Sequence, residues 1–147
     1  AWIERNRRSW RTAGPIRSFG VRCTDTGSLL GMVEANLDAA ALRLPAGEVN
    51  VSYQTYPWAR GRGVAVRAVV LMCRYLTRVP GAERAVIRVA PANIASRRVA
   101  EKAGFVARLP PPECGPGGPL QFVRELGGAA GCDGEDESAV RECPPGG

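Results

Sequence analysis

The densest chemistry in the chain lies in six consecutive residues, Arg60-Gly61-Arg62-Gly63-Val64-Ala65. Glycines at 61 and 63 let a backbone approach a ligand with no Cβ in the way. The two arginines add charge and planar donors. A helix beginning at the second glycine would present unpaired N–H groups and the positive end of its dipole, a cradle suited to a pyrophosphate. Two well-known phosphate loops do not fit. The Walker form fails because no Lys and no Ser or Thr follows Gly63, and the dinucleotide form Gly-x-Gly-x-x-Gly fails because position 66 is Val. An ordinary glycine turn ahead of a core helix would also account for this loop on its own.

The flanking sequence supplies elements to position it. Val49, Val51 and Tyr53 alternate with Asn50, Ser52 and Gln54, which predicts a strand starting at Glu48, and Tyr56-Pro57-Trp58-Ala59 leads from it into the glycines. From Val64 to Val79 the charged residues are Arg67, Arg74 and Arg78, a narrow stripe on a helix otherwise almost wholly apolar and therefore packed on a sheet. Pro80-Gly81 should stop that helix. Glu83 to Ala90 is a mostly buried strand, expected to run parallel to the strand before the loop. Upstream, Trp2 to Arg11 reads as a helix with Trp2, Ile3 and Trp10 on one face, ended by Gly14-Pro15. Ile16 to Cys23, the turn Thr24 to Ser28, and Leu29 to Leu37 form a hairpin, and Asp38 to Gly47 connects it to the strand at Glu48 as a three-stranded meander. Downstream, Asn93 is placed to cap a helix from Ile94 to Ala103, with Gly104 as its left-handed stop. Phe105 to Leu109 and Leu120 to Leu126 would be the last strands, joined by a loop from Pro110 to Pro119.

Composition bounds the possibilities. The 147 residues suit one domain, with 45% hydrophobic residues for a core. No apolar run approaches the roughly 20 residues of a membrane span. The start, Ala1-Trp2-Ile3-Glu4-Arg5, has no signal-peptide h-region and no initiating Met, so a fragment of a longer product is expected. Five cysteines with no Cys-x-x-Cys and no histidine give no zinc site and no Ser-His-Asp or Cys-His nucleophile, and they fit a reduced, cytoplasmic protein. The net charge of +6 divides into −4 over residues 127–147 and +10 over the rest, nearly all of it arginine. A basic surface of this kind suits polyanions. Residues 127–147, Gly/Pro-rich and acidic, are expected to be a disordered tail beyond a domain at 1–126.

The pattern Arg60-x-x-Gly63-x-Ala65 resembles the acetyl-CoA loop of the GNAT N-acetyltransferase superfamily. The segment Asn93-Ile94-Ala95-Ser96-Arg97-Arg98-Val99-Ala100-Glu101-Lys102-Ala103-Gly104-Phe105 is similar to the Asn-x-x-Ser-x-x-x-x-Glu-Lys-x-Gly-Phe segment of the same superfamily, most of all in its branch acting on ribosomal-protein N-termini. Capping and packing alone would justify Asn93, Gly104 and Phe105, but not the full motif. The resemblance covers residues 1–126. It implies an α/β (α+β) fold, a strongly twisted mixed sheet flanked by helices, which the chain would enter at the second helix, without the family's first strand and first helix.

The same resemblance implies direct transfer of acetyl from acetyl-CoA to a primary amine, with no metal. The pantetheine arm would lie against the backbone from Val51 through Tyr53 to Tyr56, between two splayed strands. The loop residues Arg60, Gly61, Arg62, Gly63, Val64 and Ala65 would hold the pyrophosphate, with Asn93 and Ser96 near the pantetheine and Arg97 or Arg98 near the adenosine phosphate. An amine must lose a proton before attack, and without histidine a carboxylate acting through water is the natural base. Glu48 and Glu34, both on strands that would face the cleft region, are the candidates; the usual family carboxylate would align closer to Asn50, which cannot serve as a base. The leaving thiolate needs a donor; many relatives use a Tyr where this chain has Ala100, which leaves Ser96, Tyr53 or water. Partners would be acetyl-CoA and an amine acceptor, a peptide N-terminus or a small molecule, with no membrane and a monomer or homodimer. Two alternatives remain: a non-catalytic acyl-CoA-binding module, and an Arg-rich nucleic-acid binder, which lacks aromatics interleaved with its arginines.

Overall fold

The computed structural model describes residues 8–109 and 117–127. Alternating strands build a meander first: β1 (Ile16–Arg22), β2 (Leu29–Asn36) and β3 (Glu48–Thr55) pair antiparallel in sequence order. Gly31 faces Thr55 across this ladder, and a Cβ there would collide with the Gln54 carbonyl oxygen, so only glycine permits the strands to close.

After the 3-10 turn Pro57–Ala59 come α1 (Val64–Leu76), β4 (Arg84–Val89), α2 (Ile94–Lys102), β5 (Val106–Arg108) and β6 (Leu120–Glu125). The six strands form one mixed sheet in the order β1-β2-β3-β4-β6-β5, with β3 and β4 parallel and every other neighbour antiparallel. This is the mixed α/β architecture expected.

Strand alternation divides the side chains between two faces. Val33, Val49, Val51, Ile87, Val89 and Phe122 turn to one face and bury against Val69, Met72 and Leu76 of α1 and Ala100 of α2. Each such large aliphatic contributes about 1.5–3 kcal/mol by leaving water. Residues 8–11 are helical and join this layer. The Trp10 ring meets Phe19 edge-on at 5.3 Å, and Phe19 meets Tyr75 of α1 at 5.1 Å. On the opposite face lie Glu34, Glu48, Asn50, Ser52 and Gln54, and no described helix packs there.

Most element boundaries fall within a residue of expectation, and the larger differences have physical reasons. The first helix ends at Leu76 rather than Val79, because Arg78 and Val79 donate to carbonyls three residues back and tighten the last turn ahead of Pro80. On its outer face Leu71 is 56% exposed and continues the stripe of Arg67, Arg74 and Arg78, so that stripe is not wholly polar. The last strands are shorter, with Phe105 and Leu126 packed in the core just outside them. Most of the Pro110–Pro119 loop, the first residues of the N-terminal helix and the tail from residue 128 lie outside the described residues.

Candidate active site

The parallel pair β3–β4 closes over only three positions, Glu48 with Arg84, Val49 with Ala85 and Asn50 with Val86. Beyond Asn50 the strands diverge, while β3 stays paired to β2 as far as Thr55. The direction of the freed backbone groups follows from alternation. Gly47 O accepts from Arg84 N at 3.1 Å, and Tyr56 N donates to Leu30 O at 2.9 Å, so odd-numbered residues of β3 turn toward β4 and even-numbered ones toward β2. Val51, Tyr53 and Thr55 therefore present N–H and C=O groups to the gap. Arg60 Nε donates to the Thr55 carbonyl at 3.3 Å, which ties the loop to the same edge.

The loop follows directly. Gly61 and Gly63 have φ of 76° and 73°, left-handed values that a side chain with a Cβ disfavours. Gly63 is the N-cap of α1 and no side chain caps the helix, whose first turn holds no acidic residue. Arg60 and Arg62 are exposed beside it. Unfilled N–H groups, the dipole and two guanidinium groups concentrate positive potential here and could hold a phosphate-bearing anion. Val64 packs beneath with Ala59, Leu30 and Cys23, so the cradle rests on a small apolar cluster.

The helix α2 borders the gap from the helical side. Asn93 is its N-cap, the Asn93 Oδ1 accepting from Ser96 N at 3.1 Å. The Tyr53 hydroxyl donates to the Ser96 carbonyl at 3.0 Å and so bridges β3 to α2. Burial pushes the Tyr53 phenol above its ordinary pKa, against the smaller opposing effect of that bond. Arg97 Nε is buried without a hydrogen-bond partner among the described residues, and Arg98 is exposed. A buried donor left unpaired costs about 1–3 kcal/mol, which a ligand acceptor would relieve.

The two carboxylate candidates share the sheet face away from the helices but not the same place. Glu34 stands opposite Ser52, beside the diverging part of β3, and its Oε2 accepts from Ser18 Oγ at 2.7 Å. With Met32, Val33, Ser52, Tyr53 and Gln54 it lines a shallow hollow of about 210 Å³. Glu48 is at the closed end, about 13 Å along the strand from the level of Ser52 at ~3.3 Å per residue. Its side chain is 1% exposed. Arg108 grips it with Nη1–Oε1 at 2.6 Å and Nη2–Oε2 at 3.0 Å, and Arg84 Nε lies 3.4 Å from Oε1. Burial pushes its pKa up, but the hydrogen bonds and charges of Arg108 and Arg84 together outweigh that and hold the carboxyl below its ordinary range. A buried carboxylate saturated by two guanidinium groups is poorly placed to accept a proton, so of the pair only Glu34 adjoins a space a substrate could enter.

Other positions are equally plain. Asn50 Oδ1 accepts from Arg88 Nε at 3.1 Å. Ala100 is fully buried in the core. Cys73 is a buried free thiol pushed up to about 11, chiefly by burial, and is no nucleophile. Cys23 is disulfide-bonded, which corrects the expectation of a wholly reduced chain. Among the described residues no cluster of metal-binding side chains occurs, and no helix is long and apolar enough to cross a membrane.

Compared with known proteins, residues 1–106 match the family model described as acetyltransferase (GNAT) domain. The chain belongs to the GNAT acetyltransferase family. Among solved structures, the ribosomal-protein alpha-N acetyltransferase RimL in complex with coenzyme A superposes with a TM-score of 0.69 at 14% identity, over 86% of this chain and 70% of that one. Spermidine N-acetyltransferase from Vibrio cholerae, in complex with CoA and spermine, gives 0.65 at 16% identity over 85% and 73%. An acetyltransferase from Agrobacterium tumefaciens gives 0.64 at 22% identity over 81% and 66%. At such identities the likeness establishes the GNAT fold. No curated protein matches the chain.

Sequence reasoning missed the contacts of Arg108 and Ser18. Both reach a carboxylate on another strand, and nothing local in sequence signals which strands become neighbours.

Proposed function

We propose that this GNAT domain is an acetyl-CoA-dependent N-acetyltransferase acting on a primary amine, through direct attack in a ternary complex. The observation that carries the reading is the juxtaposition of an uncapped helix N-terminus, preceded by two left-handed glycines, with a parallel strand pair that opens after three residue pairs. The loop from Arg60 to Ala65 receives the pyrophosphate. The free edge at Val51 and Tyr53 receives the pantetheine arm, whose amides match backbone donors and acceptors. Arg97, with a buried unpaired Nε, and the exposed Arg98 take the nucleotide phosphates.

The acceptor amine enters from the face of Glu34, Ser52 and Gln54, where the hollow opens. Glu34, held by Ser18, takes the ammonium proton through a water molecule. The amine nitrogen then bonds to the thioester carbonyl carbon while a backbone N–H of β3 stabilises the oxyanion. The C–S bond breaks, the amide nitrogen gives up its second proton to solvent, and the thiolate takes a proton from Tyr53, Ser96 or water. Glu48 has no part in proton transfer. RimL is named for a protein α-amine and the Vibrio cholerae enzyme for spermidine, so both acceptor types are candidates here.

The test is thiol release from acetyl-CoA in the presence of N-terminal peptides or polyamines. Wild-type protein should turn over and Arg62→Glu should need a much higher acetyl-CoA concentration. Tight acetyl-CoA binding without turnover of any amine would favour a non-catalytic module, which the buried Ala100 and the Arg88-bound Asn50 would then explain.

A further inference from the structure

The proton-transfer scheme leaves Glu48 unused, although it is the one acidic side chain buried among the described residues. A buried ion pair is a weak source of stability, since desolvation offsets the attraction, so its location matters more than its existence. The strand order places β4 and β6 between Glu48 on β3 and Arg108 on β5. The Arg108 side chain therefore crosses two strands to reach the carboxylate. On its way it donates to Gln121 Oε1 of β6 at 2.6 Å from Nη2, and Arg84 of β4 approaches the same carboxylate. Four strands are tied to one buried group.

That group sits in the first of the three residue pairs that join β3 to β4. Asn50 and Arg88 add a second tie at the last pair, where the strands begin to part. A three-pair ladder is a short hinge for a gap that must hold an extended chain at a defined width. We propose that Glu48, Arg84, Arg108 and Gln121 are positioning residues that fix the closed end of the β3–β4 gap and thereby set its width for the pantetheine arm. The network touches no reacting atom. It rests on the reading of the gap as the acyl-CoA cleft.

The experiment compares two probes by titration calorimetry: acetyl-CoA, and adenosine 3′-phosphate 5′-diphosphate, which carries the nucleotide phosphates but no arm. Wild type, Glu48→Gln, Arg108→Ala and Arg108→Lys are each checked for a cooperative thermal transition. Arg108 is part-exposed, so its variants remain informative if Glu48→Gln does not fold. The proposal predicts that Glu48→Gln and Arg108→Ala bind the nucleotide as wild type does but lose roughly tenfold in acetyl-CoA affinity, as expected for a slightly misplaced site, and that Arg108→Lys recovers part of the loss. Unchanged affinity for both probes, or an equal loss for both, would overturn it. Failure of wild type to bind either probe would instead remove the acyl-CoA reading, and this proposal with it.

Discussion

Glu34 and Glu48 share a residue type and a sheet face, yet one meets a serine hydroxyl beside an open hollow and the other two guanidinium groups in the interior. Glu34→Gln should lower kcat by about a hundredfold or more while leaving acetyl-CoA affinity unchanged, as loss of a general base does. Retention of wild-type kcat would place the base elsewhere. For Glu48 the consequence is stability. Burial raises its pKa, but Arg108 and Arg84 bring the net value below the 4.5 of an unperturbed carboxyl. A depressed folded value means that the contribution is complete above the unfolded pKa and fades as pH falls through the folded one. Glu48→Gln should therefore be less stable than wild type by about 2–4 kcal/mol at pH 7, since breaking a buried pair strands its partners. In urea denaturation that deficit should shrink as pH falls below the unperturbed carboxyl value and through the lower folded one, where wild-type Glu48 is itself protonated. A deficit independent of pH would mean that the carboxylate charge is not what matters.

Helix α1 separates two kinds of leucine, Leu76 fully buried and Leu71 56% exposed. Leu76→Ala should destabilise by about 2–5 kcal/mol by opening a core cavity, and Leu71→Lys should stay within about 0.5 kcal/mol of wild type by thermal denaturation. At this scale the sequence was largely readable. The alternation from Val49 to Gln54, the left-handed Gly63 opening α1 and the Asn93 cap of α2 are local facts written in neighbouring residues. The end of α1 was harder, because its last turn tightens gradually ahead of Pro80 and no single residue marks the change. Leu71 on the arginine stripe was misread for a related reason: periodicity gives a direction around the helix, not what lies opposite.

Across the whole molecule, the sheet order converts those local elements into a gap with a floor, a closed end and an anion cradle at its mouth. The meander and the parallel β3–β4 crossover could be read from connection lengths and apolar runs. The return of β6 between β4 and β5 could not, and it is this return that lets Arg108 reach Glu48. Hence the glycine loop and the helix it opens were legible as a motif, while the surroundings of the two carboxylates required the fold. Glu48 looked as suitable a base as Glu34 until its neighbours were known.

The central claim, that the gap and its loop form an acyl-CoA cleft, is tested most directly by titrating acetyl-CoA into the wild-type chain and into Arg62→Glu. The account predicts saturable one-to-one binding that weakens with added salt and falls at least about tenfold in the variant, because the cradle is exposed and acts through charge. No binding by wild-type protein with a cooperative thermal transition, or equal binding by both proteins, would contradict it.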